Sequence, residues 1–374
     1  MSTFDYSGQW TARTEGMFPY IVLDLDKSSG GSVGRATLIS QDRDQPSASC
    51  SLEIKTNKKV FEKEVTFLPI DPLNGRRLNV AEVRDFFPNS TLPTTIKLRF
   101  ERLSRNELRI KAVDESQATI QVVLNKESPP RFSYLDASYE VYNWKTFKEA
   151  VSEKQFHSFV FRGQAEPFSL QTTFHRTDRK DLVRYLEQDV RQLHHSISGV
   201  IDHVFNPDIP RDLGALLNLA QHHGFPTPLL DWTYSPFIAA WFAFSKFDKK
   251  RIKFSNREDK VRVFCLDKVE LEKAWQFKSV GYSTPHTSLI DALPIENNRA
   301  VSQQGVLMLT NIQDVEDHIF NLGQAANTEM LTAFDLPASE AETALNELAL
   351  MGITRSTLMP GLDSICSDLR HRLF

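Results

Sequence analysis

The sequence predicts an α+β protein. An antiparallel β-sandwich or barrel spans residues 1–130, and a mixed α/β domain spans residues 138–374. Three observations carry this reading. Residues before 130 form short, β-branched, often alternating segments with turn residues between them. The alternation stops at Ser128-Pro129-Pro130, the composition of a linker. From Trp144 onward the apolar residues recur at helical spacing.

In the first region the expected strands are Tyr20 to Leu25, Gly34 to Ile39, Ala48 to Lys55, Lys59 to Leu68, Thr94 to Leu103, Glu107 to Val113 and Ala118 to Leu124. Ser28 to Gly31, Asn74-Gly75 and Ser104 to Glu107 punctuate them as turns. Short strands at close intervals are the signature of a sandwich or barrel. Asn79 to Phe87 is the one helix expected here.

In the second region Lys145 to Val151 opens a helix, and Phe159-Val160-Phe161 reads as a short buried strand. Arg179 to Val204 carries Leu182, Tyr185, Leu186, Val190, Leu193, Ile197 and Ile201 at helical spacing. Arg211 to Gln221 and Pro236 to Phe247 are further helices, the second with proline at a helix-start position. Val261 to Leu266 and Gly305 to Leu309 read as buried strands. Ser339 to Met351 is a helix opened by Ser339 and ended by Gly352.

Composition narrows the function. Hydrophobic residues are 41% and charged residues 25%, enough apolar material for sizeable cores. The net charge of −4 gives no bulk attraction to nucleic acid or anionic membrane, although the 44 Lys and Arg leave room for local basic patches. Cys50, Cys265 and Cys366 are far apart and odd in number, so they predict buried thiols in a reducing compartment. The N-terminal residues show no basic stretch leading into an apolar run, and no segment reaches the length of a membrane span. The expected location is cytoplasmic, with no membrane partner. No pattern of metal ligands calls for a metal, and no phosphate-binding or dinucleotide loop is present.

Three segments carry candidate chemistry. In Phe161-Arg162-Gly163-Gln164 a hydrophobic strand ends in a guanidinium, a glycine and an amide. The guanidinium fork suits phosphate or carboxylate, and glycine lets backbone approach a ligand closely. The plainer alternative is a strand-end arginine in a structural ion pair. The second segment runs from Leu219 to Pro236, with His222, His223, Thr227, Asp231, Trp232, Thr233 and Ser235. Adjacent histidines can titrate near neutral pH, and Asp231 can orient an imidazole or an arginine. Thr233 and Ser235 either meet a ligand or cap the following helix. The third runs from Arg299 to Leu309, where the amides of Gln303 and Gln304 precede a buried strand and serve a ligand or, as the plainer reading, a strand edge.

Together these segments resemble the FRG domain family, named for its Phe-Arg-Gly start. The family's Gln-His-x-Gly helix end, its Pro-Thr-x-Leu-Leu-Asp-Trp-Thr stretch and its Ala-rich helix ending in Phe-Ala are matched over Gln221 to Ala243. Gln303 to Val306, Met351 to Ile353 and Leu358 to Leu362 are similar to its later blocks. Pro228 stands where members often carry arginine. The resemblance covers roughly residues 140–370 and none of residues 1–130.

The order of these segments is also similar to the layout of ADP-ribosyltransferase folds. That likeness implies NAD as cofactor, with Arg162, Gly163 and Gln164 at its phosphate or ribose. Thr227, Trp232, Thr233 and Ser235 would line or buttress the pocket, and Gln304 would stand where a glutamate is expected. His222 or His223, oriented by Asp231, would handle a proton. An amide at 304 can bond a ribose hydroxyl but supplies no negative charge for a cationic transition state. Glu296 is a nearby carboxylate, several residues from that position. The implied function is a nucleotide-using effector of a bacterial defence or toxin-type system, acting on RNA or protein. The alternative is a non-catalytic module that senses a nucleotide or nucleic acid. The first region would then recognise a protein partner or a ligand.

Overall fold

The structure is a computed structural model that describes residues 5–15, 18, 20–40, 42, 44–56, 58–72, 76–90, 95–113, 119–246, 259–274, 285–291, 294–295 and 297–373. The Asn74-Gly75 turn, Glu296 and Phe247 lie outside them. The described residues form two compact units. One is drawn from 1–128 and 173–196, with Pro285, and the other from 129–172, 197–277 and 286–374.

The first unit contains β1 (Gly8–Arg13), β2 (Tyr20–Ser28), β3 (Gly31–Ile39), β4 (Ser47–Ile54), β5 (Val60–Thr66), β6 (Leu68–Ile70), β7 (Thr95–Arg102), β8 (Glu107–Val113) and β9 (Thr119–Lys126). They form one antiparallel sheet in the order β5-β7-β8-β9-β1-β2-β3-β4-β6. Its edge strands β5 and β6 are separated by Phe67 alone, so the two ends of the sheet are drawn together into a nearly closed barrel. The single strand expected over Lys59 to Leu68 is therefore a corner. The buried Phe67 turns the chain from one edge of the sheet to the other. Strand β1 was not expected from sequence.

Side chains fill the barrel. Trp10, Leu25, Phe100, Leu108 and Leu124 are fully buried among Leu23, Leu52 and Ile54. The Trp10 indole N–H donates to the Tyr6 carbonyl at 2.9 Å, so its polar edge is satisfied inside the core. Helix α1 (Val80–Phe86) is the expected one. Its N-cap Asn79 exchanges hydrogen bonds with Glu82 in a capping box.

Residues 173–196 belong to this unit although they follow the linker. Helix α2 (Trp144–Ser152) belongs to the other unit. Helix α3 (182–197) begins at Leu182, capped by Asp181, and passes through a π-helical turn, Tyr185–Val190. It ends at Ile197, short of the Val204 expected from apolar spacing. Residues 178–184 are held by Asp26 on β2. Its fully buried carboxylate accepts from Arg179 Nη1 at 3.0 Å, Arg184 Nη1 at 2.9 Å, Lys180 N at 2.5 Å and Asp181 N at 3.0 Å.

The second unit is built on β10 (Phe159–Gln164), β11 (Leu229–Thr233), β12 (Lys260–Asp267), β13 (Thr287–Ile290), β14 (Gly305–Thr310) and β15 (Leu331–Pro337). The sheet is antiparallel, in the order β13-β14-β11-β10-β12-β15. Alternation along each strand separates two cores. On one face Phe161, Val263, Phe334 and Leu336 pack against α2 and against α5 (Pro236–Ser245), which follows α4 (Pro210–His222). On the other face Val160, Leu230, Trp232, Phe264 and Met308 meet Leu271 of α6 (Lys268–Ala274). They also meet Val315 and Ile319 of α8 (Val315–Ala326); the short α7 (Asn298–Ser302) precedes β14. Helix α9 (Ala341–Leu350) is preceded by a 3₁₀ turn, Ala338–Glu340, so Ser339 is not its N-cap.

Cys50 and Cys265 are buried as expected, and burial pushes their thiols up to about 12 and about 11. Cys366 is exposed, contrary to the sequence reading, because it lies on the outer side of the terminal helix Leu362–Leu373. Among the described residues no helix is long and apolar enough to cross a membrane.

Candidate functional site

The three segments singled out in the sequence lie on three consecutive strands. Phe161 of β10 pairs with Thr233 of β11, and Thr233 pairs with Gly305 of β14. Arg162, Thr233 and Gln304, up to 142 residues apart in sequence, thus reach the middle of one sheet.

Gly163 explains the close fit of this centre. A Cβ at this position would lie 1.7 Å from the Ala239 carbonyl oxygen and 2.9 Å from the Ala243 nitrogen. Helix α5 therefore rests directly on the β10 backbone, and its buried Ala239, Ala240 and Ala243 permit the approach. The space beside Gly163 that a ligand would need is filled by the helix.

Around this contact the polar residues gather. Arg162 Nη1 donates to the Asp231 carbonyl at 2.6 Å, so the guanidinium is anchored on β11 through main chain. The Asp231 carboxylate accepts from Gln221 Nε2 at 2.5 Å, and the Gln221 Oε1 accepts from the Thr227 hydroxyl. This chain of bonds ties the end of α4 to the following turn and to β11. His222, next to Gln221, is half-buried. Burial holds its imidazole below the usual histidine value, the Asp231 carboxylate opposes that shift, and Arg299 and His223 add to it. His223 is exposed and closes α4.

Several predicted site residues have structural partners. Thr233 is buried. Its hydroxyl donates to the Gln303 carbonyl at 2.7 Å and accepts from Ser235 N at 3.1 Å. Ser235 is the N-cap of α5, accepting from Ile238 N at 3.2 Å. Thr227 is fully buried, and Trp232 is sealed in the sheet core at 2% exposure, where its ring cannot stack on a ligand. Pro228 is buried, and its carbonyl accepts from Thr310 N. Gln164 is half-buried at the end of β10, in register with Arg262. Gln304 is exposed in the left-handed region at φ 47°, and its carbonyl accepts from Tyr234 N at 3.1 Å. Gln303 Nε2 donates instead to the Leu358 carbonyl at 3.0 Å.

Of two cations in this region, Lys246 was missed from sequence, and Arg299 opened the third segment without being given a role. Lys246 is the C-cap of α5, one turn beyond Ala243. Partial desolvation lowers its ammonium from the ordinary lysine value, Arg162 lowers it further, and Asp231 opposes both. Arg299 lies on α7, just before Gln303-Gln304, and acts on His222. Their signal was faint, since a lysine closing a helix and an arginine on a short helix both read as solvated charges. A separate cleft of ≈490 Å³ lies between 134–136, α8 and the residues up to Leu331, and none of the predicted site residues lines it.

No curated protein and no solved structure matches the chain. A family model does match residues 157–251, a span that takes in Phe161-Arg162-Gly163, the Gln221 to Ser235 segment and α5. The polar cluster on β10, β11 and α5 thus lies within the matched span, and the chain carries an FRG domain.

Proposed function

We propose that the FRG-containing unit is a nucleotide-using effector, ADP-ribosyltransferase-like, that moves ADP-ribose from NAD to an RNA or protein target in a bacterial defence or toxin-type system. One observation carries the reading. The arginine strand, the hydroxyl strand and the strand led by Gln304 are adjacent, so segments far apart in sequence converge at one place.

The residues fit the phosphate end of such a ligand. Arg162, Lys246 and Arg299 offer positive charge around Asp231 and His222. NAD would supply the scissile bond between ribose and nicotinamide. In this scheme Arg162, fixed by the Asp231 carbonyl, holds phosphate or ribose as a rigid fork. His222, kept neutral at pH 7 by burial, is suited to accept a proton from the attacking group. Thr233 and Ser235 support the site by fixing the β11–α5 turn, since Thr233 has committed its one donor and Ser235 caps the helix.

The second reading, a module that binds a nucleotide without turning it over, is favoured by Gln304. Its amide is neutral, so it stabilises a cationic transition state poorly while still bonding hydroxyls. Labelled NAD incubated with the protein and cell extract separates the two. Label transfer to RNA or protein, lost in Arg162→Ala, supports the transferase. Ligand binding with neither transfer nor NAD consumption supports the binding module.

A further inference from the structure

We propose that the cleft beside α8 is a binding site for a linear aliphatic polyamine, a chain of ammonium groups separated by methylene runs. The cleft lies within the second unit, and the residues of the proposed nucleotide site do not line it. The inference is therefore independent of that reading.

The shape of the cleft follows from α8. Glu316, Ile319, Phe320, Gly323, Gln324 and the C-cap Asn327 recur every three or four residues, so one helix face forms one wall. From Glu316 to Asn327 that face runs about 16 Å at the helical rise. Segment 134–136 lines the cleft as well. It is tied at one end by the Ser133 hydroxyl, which donates to Glu316 Oε2 at 2.7 Å, and at the other by the bridge between Ala137 and Ala333. Ile319, Met330 and Leu331 are buried and give the cleft an apolar floor, while Tyr134 and Phe320 are exposed aromatic rings beside it. Its ≈490 Å³ falls in the range of small-molecule sites.

The charge is of one sign. Among the described residues that line the cleft, Asp136, Glu316 and Glu329 are carboxylates, and none is a lysine, arginine or histidine. Among the described residues none of the three has a cation at ion-pair distance. Glu316 is only 1% exposed. Its carboxylate accepts from the Ser133 hydroxyl and from Leu170 N, each at 2.7 Å, which are neutral donors and fill about two of its four acceptor positions. The Arg262 guanidinium that acts on it is itself bonded through Nε and Nη2 to Asp335. Burial pushes the Tyr134 phenol up, and Asp314, Asp317 and Glu316 push it further. The negative pole of α8, at Gln324 and Asn327, lies along the same cleft.

Three features choose the kind of cation. Among the described residues no group of three carboxylates, histidines or cysteines could hold a metal ion, so these carboxylates do not converge as a hard divalent ion requires. Charges set apart along an apolar floor suit ammonium groups set apart by methylenes, which leave no polar group to be satisfied on Ile319, Met330 and Leu331. The faces of Tyr134 and Phe320 can also take an ammonium.

The test is calorimetric titration of the full chain with spermidine, with magnesium chloride and with Nα-acetyl-lysine amide. The proteins are the parent, Phe320→Ala and the double variant Asp136→Asn/Glu329→Gln. All three positions are exposed, and thermal melting controls for folding. The expected result is spermidine binding that is about tenfold weaker in the double variant and about threefold weaker in Phe320→Ala. Magnesium and the lysine amide should bind far more weakly than spermidine. The proposal is overturned if the folded parent does not bind spermidine, or if both variants bind it as the parent does. Displacement of spermidine by an equal concentration of magnesium would also overturn it, since the cleft would then be a diffuse acidic surface. Tighter binding of the lysine amide would overturn it in favour of a lysine side chain from a protein partner.

Discussion

Arg162 is held in part by a charge-assisted bond to the Asp231 main-chain carbonyl. A hydrogen bond of this kind contributes about 1.5–3 kcal/mol. Arg162→Ala should therefore lose at least that much stability, along with ligand binding and any label transfer, and a protein that no longer folds would return Arg162 to a purely structural role. His222 gives a second check. Burial depresses its folded pKa, so the associated stability is present above the unfolded value of 6.5 and is lost as pH falls from there through the folded value. Proton NMR should find His222 titrating below 6.5, and His222→Gln should flatten the corresponding part of the stability profile. Residue types alone singled out His222, His223 and Asp231, because packing has no need of them so close together, whereas Arg162 read more readily as a strand-end arginine in a structural ion pair. The types could not separate Thr233, Ser235 and Gly163 from ligand-binding residues. A hydroxyl that caps a helix looks the same in sequence as one that meets a sugar, and a glycine under a helix looks like one under a phosphate.

Elements show the same division between what periodicity carries and what tertiary contact decides. Strands β2, β3, β4, β7, β8 and β9 lie close to their alternating segments because one face of each is buried in the barrel. The corner at Phe67 and the end of α3 at Ile197 were not legible, since each depends on what the chain meets in space rather than on its own period. Helix α5 offers a direct test of such a contact. In Gly163→Ala the new methyl would meet a carbonyl oxygen of the helix backbone, which cannot rotate away as a side chain can. Overpacking of this kind costs about 1–3 kcal/mol or more, so the second unit should melt at a lower temperature. Strand β2 supplies a contrast of sign. Asp24 and Asp26 are two residues apart on one face of it. Burial raises the Asp24 carboxyl well above its ordinary value, Gln9 opposes the shift, and the Asp181 and Asp26 carboxylates add to it. A raised folded pKa contributes stability that is full below the unfolded value near 3.8 and is lost as pH rises through the folded value. Asp24→Asn should thus stabilise the first unit at neutral pH, whereas Asp26→Asn, losing the charge that faces two guanidinium groups, should destabilise it. Melting curves at pH 7 that move in the same direction for both would contradict this assignment.

At the scale of the whole molecule, the barrel sequence and the barrel unit are not the same stretch of chain. Residues 173–196 come after the linker, yet they belong to the first unit and supply all four donors seen around Asp26. Composition marks the linker at 128–130 clearly but is silent on a later segment returning to an earlier sheet. Residues 1–128 alone would leave Asp26 without those donors. Hydrogen bonds to a charged group contribute about 1.5–3 kcal/mol each, a large part of the 5–15 kcal/mol that stabilises a typical domain. The shortened chain should therefore melt well below the first unit of the full protein. The effect of one substitution should also differ between the two. In the full protein Asp26→Asn discards a carboxylate that is bonded to two arginines, and it lowers stability. In residues 1–128 alone Asp26, on the face of β2 opposite the core residue Leu25, meets water in place of those donors, and the same change should have little effect. Equal effects in the two chains would mean that the barrel holds Asp26 by itself, and that residues 173–196 rest on the first unit without stabilising it.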